Sequence, residues 1–177
     1  QKDDNFYDFY HTSAQIVTDS DPVDLKASTI RPTTLHAVLP TTQGLLLFSK
    51  DQQFLMAAQN GVLTPTTTNI RVISNYDMDT DVPPVDTGGI INFISKTPSY
   101  TRTFGMQTFG QDDNPKVLDI GRVVNEWVPA TVDTMIASPQ NRFLAFSDQS
   151  SRYVYFFRTY NDGKENLVEA WFNWQLP

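Results

Sequence analysis

The chain has 177 residues, of which 40% are hydrophobic and 19% charged, enough for a globular core and too apolar for a disordered chain. It contains no cysteine, which excludes disulfides, cysteine-based zinc sites and thiol nucleophiles. Its net charge of −7 argues against tight binding to a nucleic-acid backbone, which rewards basic surfaces through counterion release.

The charge is uneven. Residues 1–88 hold 5 basic and 11 acidic side chains (−6), and residues 89–177 hold 8 and 9 (−1). A like-charged surface repels DNA, so it suits a passage that DNA must not stick to. No apolar run approaches the roughly 20 residues that span a bilayer. The opening QKDDNFYDFY is acidic and aromatic, unlike a signal peptide. The absence of an initiator Met and the abrupt end at Pro177 read as a fragment of a longer chain. The 20 threonines and abundant aromatics favour strands, where branched and flat side chains fit a pleated surface.

In chain order, residues 1–34 mix aromatics, acids and turn formers, with Asp19–Asp24 as a turn. Leu35–Leu39, Leu45–Ser49 and Phe54–Ala58 predict one antiparallel set with short connections, and Asn69–Tyr76 alternates as a half-buried strand. Asp77–Gly89 predicts a loop, punctuated by paired prolines and glycines. Ile90–Lys96 and Thr103–Phe109 are the next strands.

Asn114–Pro129 predicts one short helix. Val117, Ile120, Val124 and Trp127 lie at helical spacing, Asn114 can cap and Pro129 stops the run, with Gly121 a weak point. Thr134–Ser138, Phe143–Ser147, Tyr153–Tyr160 and Glu169–Leu176 predict four strands joined by hairpin turns, the strongest turn being Asn161-Asp162-Gly163. The strand groups recur at about 45–55 residues, near the period of propeller blades. The fold class is therefore mainly β with one short helix, and the strand layout fits either about three antiparallel β-propeller blades or a β-sandwich or barrel.

Chemistry is sparse. His11 and His36 are the histidines, and His36 sits in an apolar strand where a structural role outweighs a general base. Gly105 and Gly110 have phosphate-loop spacing, but Gln111 stands where Lys is required, and Gly88-Gly89 precedes a strand and reads as a turn. Asp77, Asp79 and Asp81 alternate as at the start of a calcium loop. The sixth and twelfth positions are Val82 and Gly88, not Gly and Glu, so the pattern reads as a solvated acidic loop. Among 20 acids, no pair stands out as the two carboxylates of a glycosidase. Trp171 and Trp174 are candidate stacking platforms for sugars or bases. Three apart on a strand they face opposite ways, so one is expected in the core and one at a surface.

Several stretches together carry a family resemblance: Phe6–Tyr10, the Asp19–Asp24 turn, Leu35–Leu39, Leu45–Ser49, Gln53-Phe54, Leu55–Ala58 and Gly61–Thr64. Later, Trp127-Val128-Pro129, the strand from Phe143 and the closing Trp-Phe-Asn-Trp fit the same layout. This arrangement resembles the central part of the tail tubular protein B, or tail nozzle, of short-tailed phages. Phe48 stands where some of that family have Trp, and Asp77–Gly89 matches none of its motifs closely.

The resemblance implies a structural virion component located in the tail, not an enzyme and with no cofactor. It implies residues 1–177 as part of a β-propeller domain, in a homo-hexamer that meets a tail adaptor (tail tubular protein A-like) and tail fibres and lets viral DNA pass without holding it. Asp77, Asp79, Asp81 and Asp86 are the candidate channel or partner surface. The competing function is a carbohydrate-binding or glycoside-cleaving β-domain. Open sheet edges in a three-blade piece are expected to invite pairing.

Overall fold

A computed structural model describes residues 23, 33–58, 62, 64–107, 115–124, 126–161 and 166–177. His11, Phe6–Tyr10, the Asp19–Asp24 turn apart from Val23, Asn114 and the Asp162-Gly163 tip lie outside the described residues.

The described chain forms three four-stranded sheets in which each strand pairs with the next in sequence, all antiparallel. The first sheet holds β1 (Leu35–Thr41), β2 (Gly44–Ser49), β3 (Gln53–Ala58) and β4 (Thr68–Ser74). The middle sheet holds β5 (Val85–Asp86), β6 (Ile90–Lys96), β7 (Thr101–Gln107) and β8 (Lys116–Asp119). The third holds β9 (Thr134–Ser138), β10 (Phe143–Ser147), β11 (Tyr153–Asn161) and β12 (Asn166–Gln175).

Hydroxyl residues shape the turns. Thr41, Ser49, Thr87 and Thr97 each donate their hydroxyl to the carbonyl oxygen three residues on, at Gly44, Gln52, Ile90 and Tyr100, over 2.7–3.0 Å. The carbonyls of Gln52, Ile90 and Tyr100 also accept the N–H of Ser49, Thr87 and Thr97, so these turns are closed twice, by backbone and by side chain. Gly44 closes the first such turn at φ 143°, where an added Cβ would lie 2.3 Å from the Met56 carbonyl oxygen. Only a residue without a side chain fits there.

The sheets pack in sequence order because the middle one is buried on both faces. Ile91, Phe93, Phe104 and Met106 meet Leu46, Phe48 and Leu55 of the first sheet, with Phe93 stacked on Phe104 at 5.2 Å and edge-on to Phe48 at 5.7 Å. On the other face Ile94 joins Met135, Leu144, Phe146 and Phe157 of the third sheet. The chain crossing between sheets supplies filler to both cores. Met78 enters the first, and Val82, Val128 and Val132 enter the second. The opening strands of the middle and third sheets, β5 and β9, also lie against each other.

The expected helix over Asn114–Pro129 is replaced by strand β8 and a single 3-10 turn at Arg122–Val124. Val117 packs into the first core, whereas Ile120 and Trp127 pack into the second. The apparent helical stripe is thus divided between two cores, Val117 entering one from β8 and Ile120 and Trp127 entering the other from the segment that follows. Pairing of Val117 with Met106 and Leu118 with Gly105 offers a β-branched residue a ladder, and Gly121 ends it in a turn held by Thr103. The expected loop over Asp77–Gly89 likewise contains the two-residue strand β5, which is too short to show an alternating pattern.

Candidate functional site

The four acidic candidates lie on and beside the crossing from β4 to β5. Backbone bonds seat this segment on both neighbouring sheets. Met78 N–H donates to the Lys50 carbonyl at 2.7 Å and Asp79 N–H to the Ile94 carbonyl at 2.8 Å. Gln53 of β3, fully buried, donates to the Tyr76 carbonyl at 2.9 Å and accepts from the Ser74 hydroxyl.

The carboxylates then divide by role. Asp79 is turned inward, its side chain 9% exposed, with Oδ2 2.6 Å from Lys96 Nζ. The contact is ionic without hydrogen-bond alignment, while Oδ1 accepts from the Asp81 N–H at 3.0 Å. Asp86 is exposed, yet its Oδ1 accepts from both Gly88 N–H (2.8 Å) and Gly89 N–H (2.9 Å), holding two glycines of positive φ in the expected turn. Asp77 and Asp81 present exposed residues. The structure thus brings Asp79 and Asp81 together through one hydrogen bond and spends Asp79 and Asp86 on local architecture. Among the described residues, no three His, Cys, Asp or Glu side chains gather as a metal site. His36 is exposed on β1.

A second feature had been only half legible. Trp171 points into the second core, where it meets Phe157 at 4.7 Å, Phe146 at 5.9 Å and Trp127 at 6.2 Å. Trp174 is 59% exposed on the opposite face of the third sheet. There it lies 4.6 Å from Phe156, which stacks on Phe172 at 5.1 Å and meets Phe143 edge-on at 6.0 Å. Ile136, 56% exposed, lies on the same face. Sequence reasoning weighed the two tryptophans alone. The signal for the whole surface was the run of aromatics at consecutive positions, Phe156-Phe157 and Trp171-Phe172, which an alternating strand must place on both faces.

Two electrostatic features lie near the third sheet. The Asp148 carboxyl is held below the usual range, first by the Thr131 hydroxyl and then by the Ser150 N–H and hydroxyl. Burial raises the Tyr155 phenol above its usual value. A cavity of about 50 Å³ between the middle and third sheets, beside Asn92, Gly105 and Leu144, has room for a water or two and no substrate.

The described residues thus form a stack of sheet meanders with a carboxylate-rich crossing and an aromatic outer face. Over 177 residues the chain is 27% identical to the tail tubular protein gp12 of Escherichia phage T7, an alignment covering 97% of this chain and 22% of that protein. The chain thus spans about a fifth of the length of its curated relative. The family model described as bacteriophage nozzle protein matches residues 2–177, and with nearly every residue accounted for by that match the chain belongs to this family of structural proteins of the virion tail.

Proposed function

We propose that this chain is a section of the wall of the phage tail nozzle. Its sheets act as blades of a β-propeller-type wheel in a homo-hexameric subunit ring through which viral DNA leaves. The observation that carries the reading is the sequential stacking of the three sheets, with the middle one buried on both faces, in a chain that belongs to the nozzle family. Each blade buries its neighbour, so rigidity comes from side-chain packing across the stack, and catalysis is not required of any residue.

The charge supports a conduit role. Asp77 and Asp81 stand exposed on a crossing that packing, backbone bonds and the Asp79–Lys96 contact hold in place. Negative charge fixed on such a surface repels the phosphate backbone at a range of roughly 8 Å in physiological salt. Tail adaptor and tail fibres are the neighbours proposed for the ring.

Electron microscopy of the full-length protein, alone and with purified tails, tests this. The expected result is six-fold rings with a central channel that dock at the tail. Monomers that never join a tail would overturn it.

A further inference from the structure

Sheet edges expose unpaired backbone groups, and proteins blunt them with short strands, prolines, charges or bulges. Five of the six edges in the three sheets are blunted in this way. β5 has two residues, and β8 has four, with Lys116 and Asp119 at its ends. β9 has five residues, is followed by Pro139 and lies against β5. β1 carries Pro40 and an irregular register between Leu35 and Ala37. β4 carries Arg71 mid-strand, and the register shifts opposite it between Gln53 and Phe54.

The sixth edge, β12, is different. It runs for 10 residues with no Pro, Lys or Arg; its one charge, Glu169, and its one register shift, at Tyr160/Asn161, lie in its first half, and from Tyr160↔Val168 to Tyr153↔Gln175 it pairs evenly with β11. The direction of its backbone groups follows from one bond. Leu176 N–H donates to the Arg152 carbonyl at 2.7 Å, so in this register the bonded residues of β12 are Trp174, Phe172 and Ala170. The N–H and C=O groups of Trp171, Asn173 and Gln175 therefore point away from β11, along an edge that pairs with no other strand among the described residues. The neighbouring surface is the aromatic face of Phe156, Phe172 and Trp174. It would flank the alternate side chains of any strand added at the usual spacing of about 4.8 Å.

We propose that β12 accepts an extended strand from a neighbouring copy of this polypeptide, which adds to the third sheet. The inference rests on the ring reading above and supplies the contact that reading leaves unspecified. Charge favours a copy meeting here. The chain carries −7, so like copies repel over most approaches, whereas Trp171–Pro177 has no ionisable side chain. From Trp171 onward the edge thus joins backbone groups with no strand partner among the described residues to an aromatic face without ionisable side chains.

The test is Asn173→Pro in the full-length chain. Proline removes the edge-facing N–H and leaves the Phe172 and Trp174 bonds to β11 in place, as edge strands tolerate. The expected result is a native circular dichroism spectrum with copy-to-copy association weakened at least about tenfold, read by analytical ultracentrifugation. In the wild type, the Trp171, Asn173 and Gln175 amides should exchange at least about tenfold more slowly in the oligomer than after dissociation, while Phe172 and Trp174 are protected in both. If the variant fails to fold, the wild-type exchange pattern decides.

An unchanged oligomer in the variant, or fast exchange at the three amides within the ring, would overturn the edge pairing and leave the nozzle reading intact. A variant that still forms rings but no longer attaches to tails would assign the edge to a different tail protein and overturn pairing between copies. A wild-type chain that forms no rings at all would overturn both readings.

Discussion

The Asp79 carboxylate lies 2.6 Å from the Lys96 ammonium and fastens the β4–β5 crossing to the end of β6. The two ends are unequal, with the Asp79 side chain 9% exposed and the Lys96 side chain 31% exposed. Removing the lysine strands a nearly buried carboxylate, whereas removing both charges strands nothing. Lys96→Met alone is expected to cost about 1–3 kcal/mol, and the double change Lys96→Met with Asp79→Leu less than the single one. Urea unfolding of the two variants measures the difference. Equal stability of wild type and Lys96→Met would show that the contact contributes nothing.

Trp171 and Trp174 differ by three positions and by an entire sheet face. Trp171→Ala empties a site bounded by Phe146, Phe157 and Trp127 and should destabilise by about 3–5 kcal/mol. Trp174→Ala removes a ring that is 59% exposed and should cost under about 1 kcal/mol while reducing the apolar outer surface. Thermal melts of the two variants should separate clearly. Similar melting temperatures would contradict the placement of the two rings.

Much of the fold was legible in the sequence because its strands are short, alternating and bounded by turn residues. Ile90–Lys96, Thr134–Ser138 and Phe143–Ser147 match the observed strands residue for residue. The miss at Asn114–Pro129 has a specific cause. Val117, Ile120, Val124 and Trp127 satisfy a helical period, yet Val117 packs into one core and Ile120 and Trp127 into another, and only the sheet stack creates the two. The acidic run was visible as composition, but its division of labour was not. Whether a carboxylate faces solvent or a lysine 17 positions later depends on where β6 passes. That β12 ends its sheet among the described strands was equally hidden, since strand order decides which strand is last.

Gly44 offers a check on the first sheet. Its φ of 143° and the Met56 carbonyl oxygen 2.3 Å from a built Cβ leave no room for alanine. Backbone must move, because the obstacle is a carbonyl and not the end of a side chain. Gly44→Ala should therefore cost about 2–4 kcal/mol, more than the gain of about 0.4–1 kcal/mol that alanine brings by restricting the unfolded chain. Chemical denaturation measures it, and a neutral result would refute the close approach of β2 to β3 at this turn.

Asp148 gives the third sheet a defined response to acid. Its carboxyl titrates below its ordinary value because the Thr131 hydroxyl and both Ser150 donors favour the charged form. The unfolded chain therefore binds this proton at higher pH than the folded one does. Its contribution is complete above the unfolded carboxylate value and disappears as pH falls through the folded one. Asp148→Asn, which cannot ionise, should flatten that part of the stability curve. Melting temperatures of wild type and variant should converge as the pH drops from 6 towards about 3, the wild type being the more stable at the upper end. A wild-type curve parallel to the variant's across this window would show that the turn draws no stability from the ionised carboxylate. The same comparison on assembled rings would reveal whether this turn, which joins β10 to β11, also sets the acid limit of the oligomer.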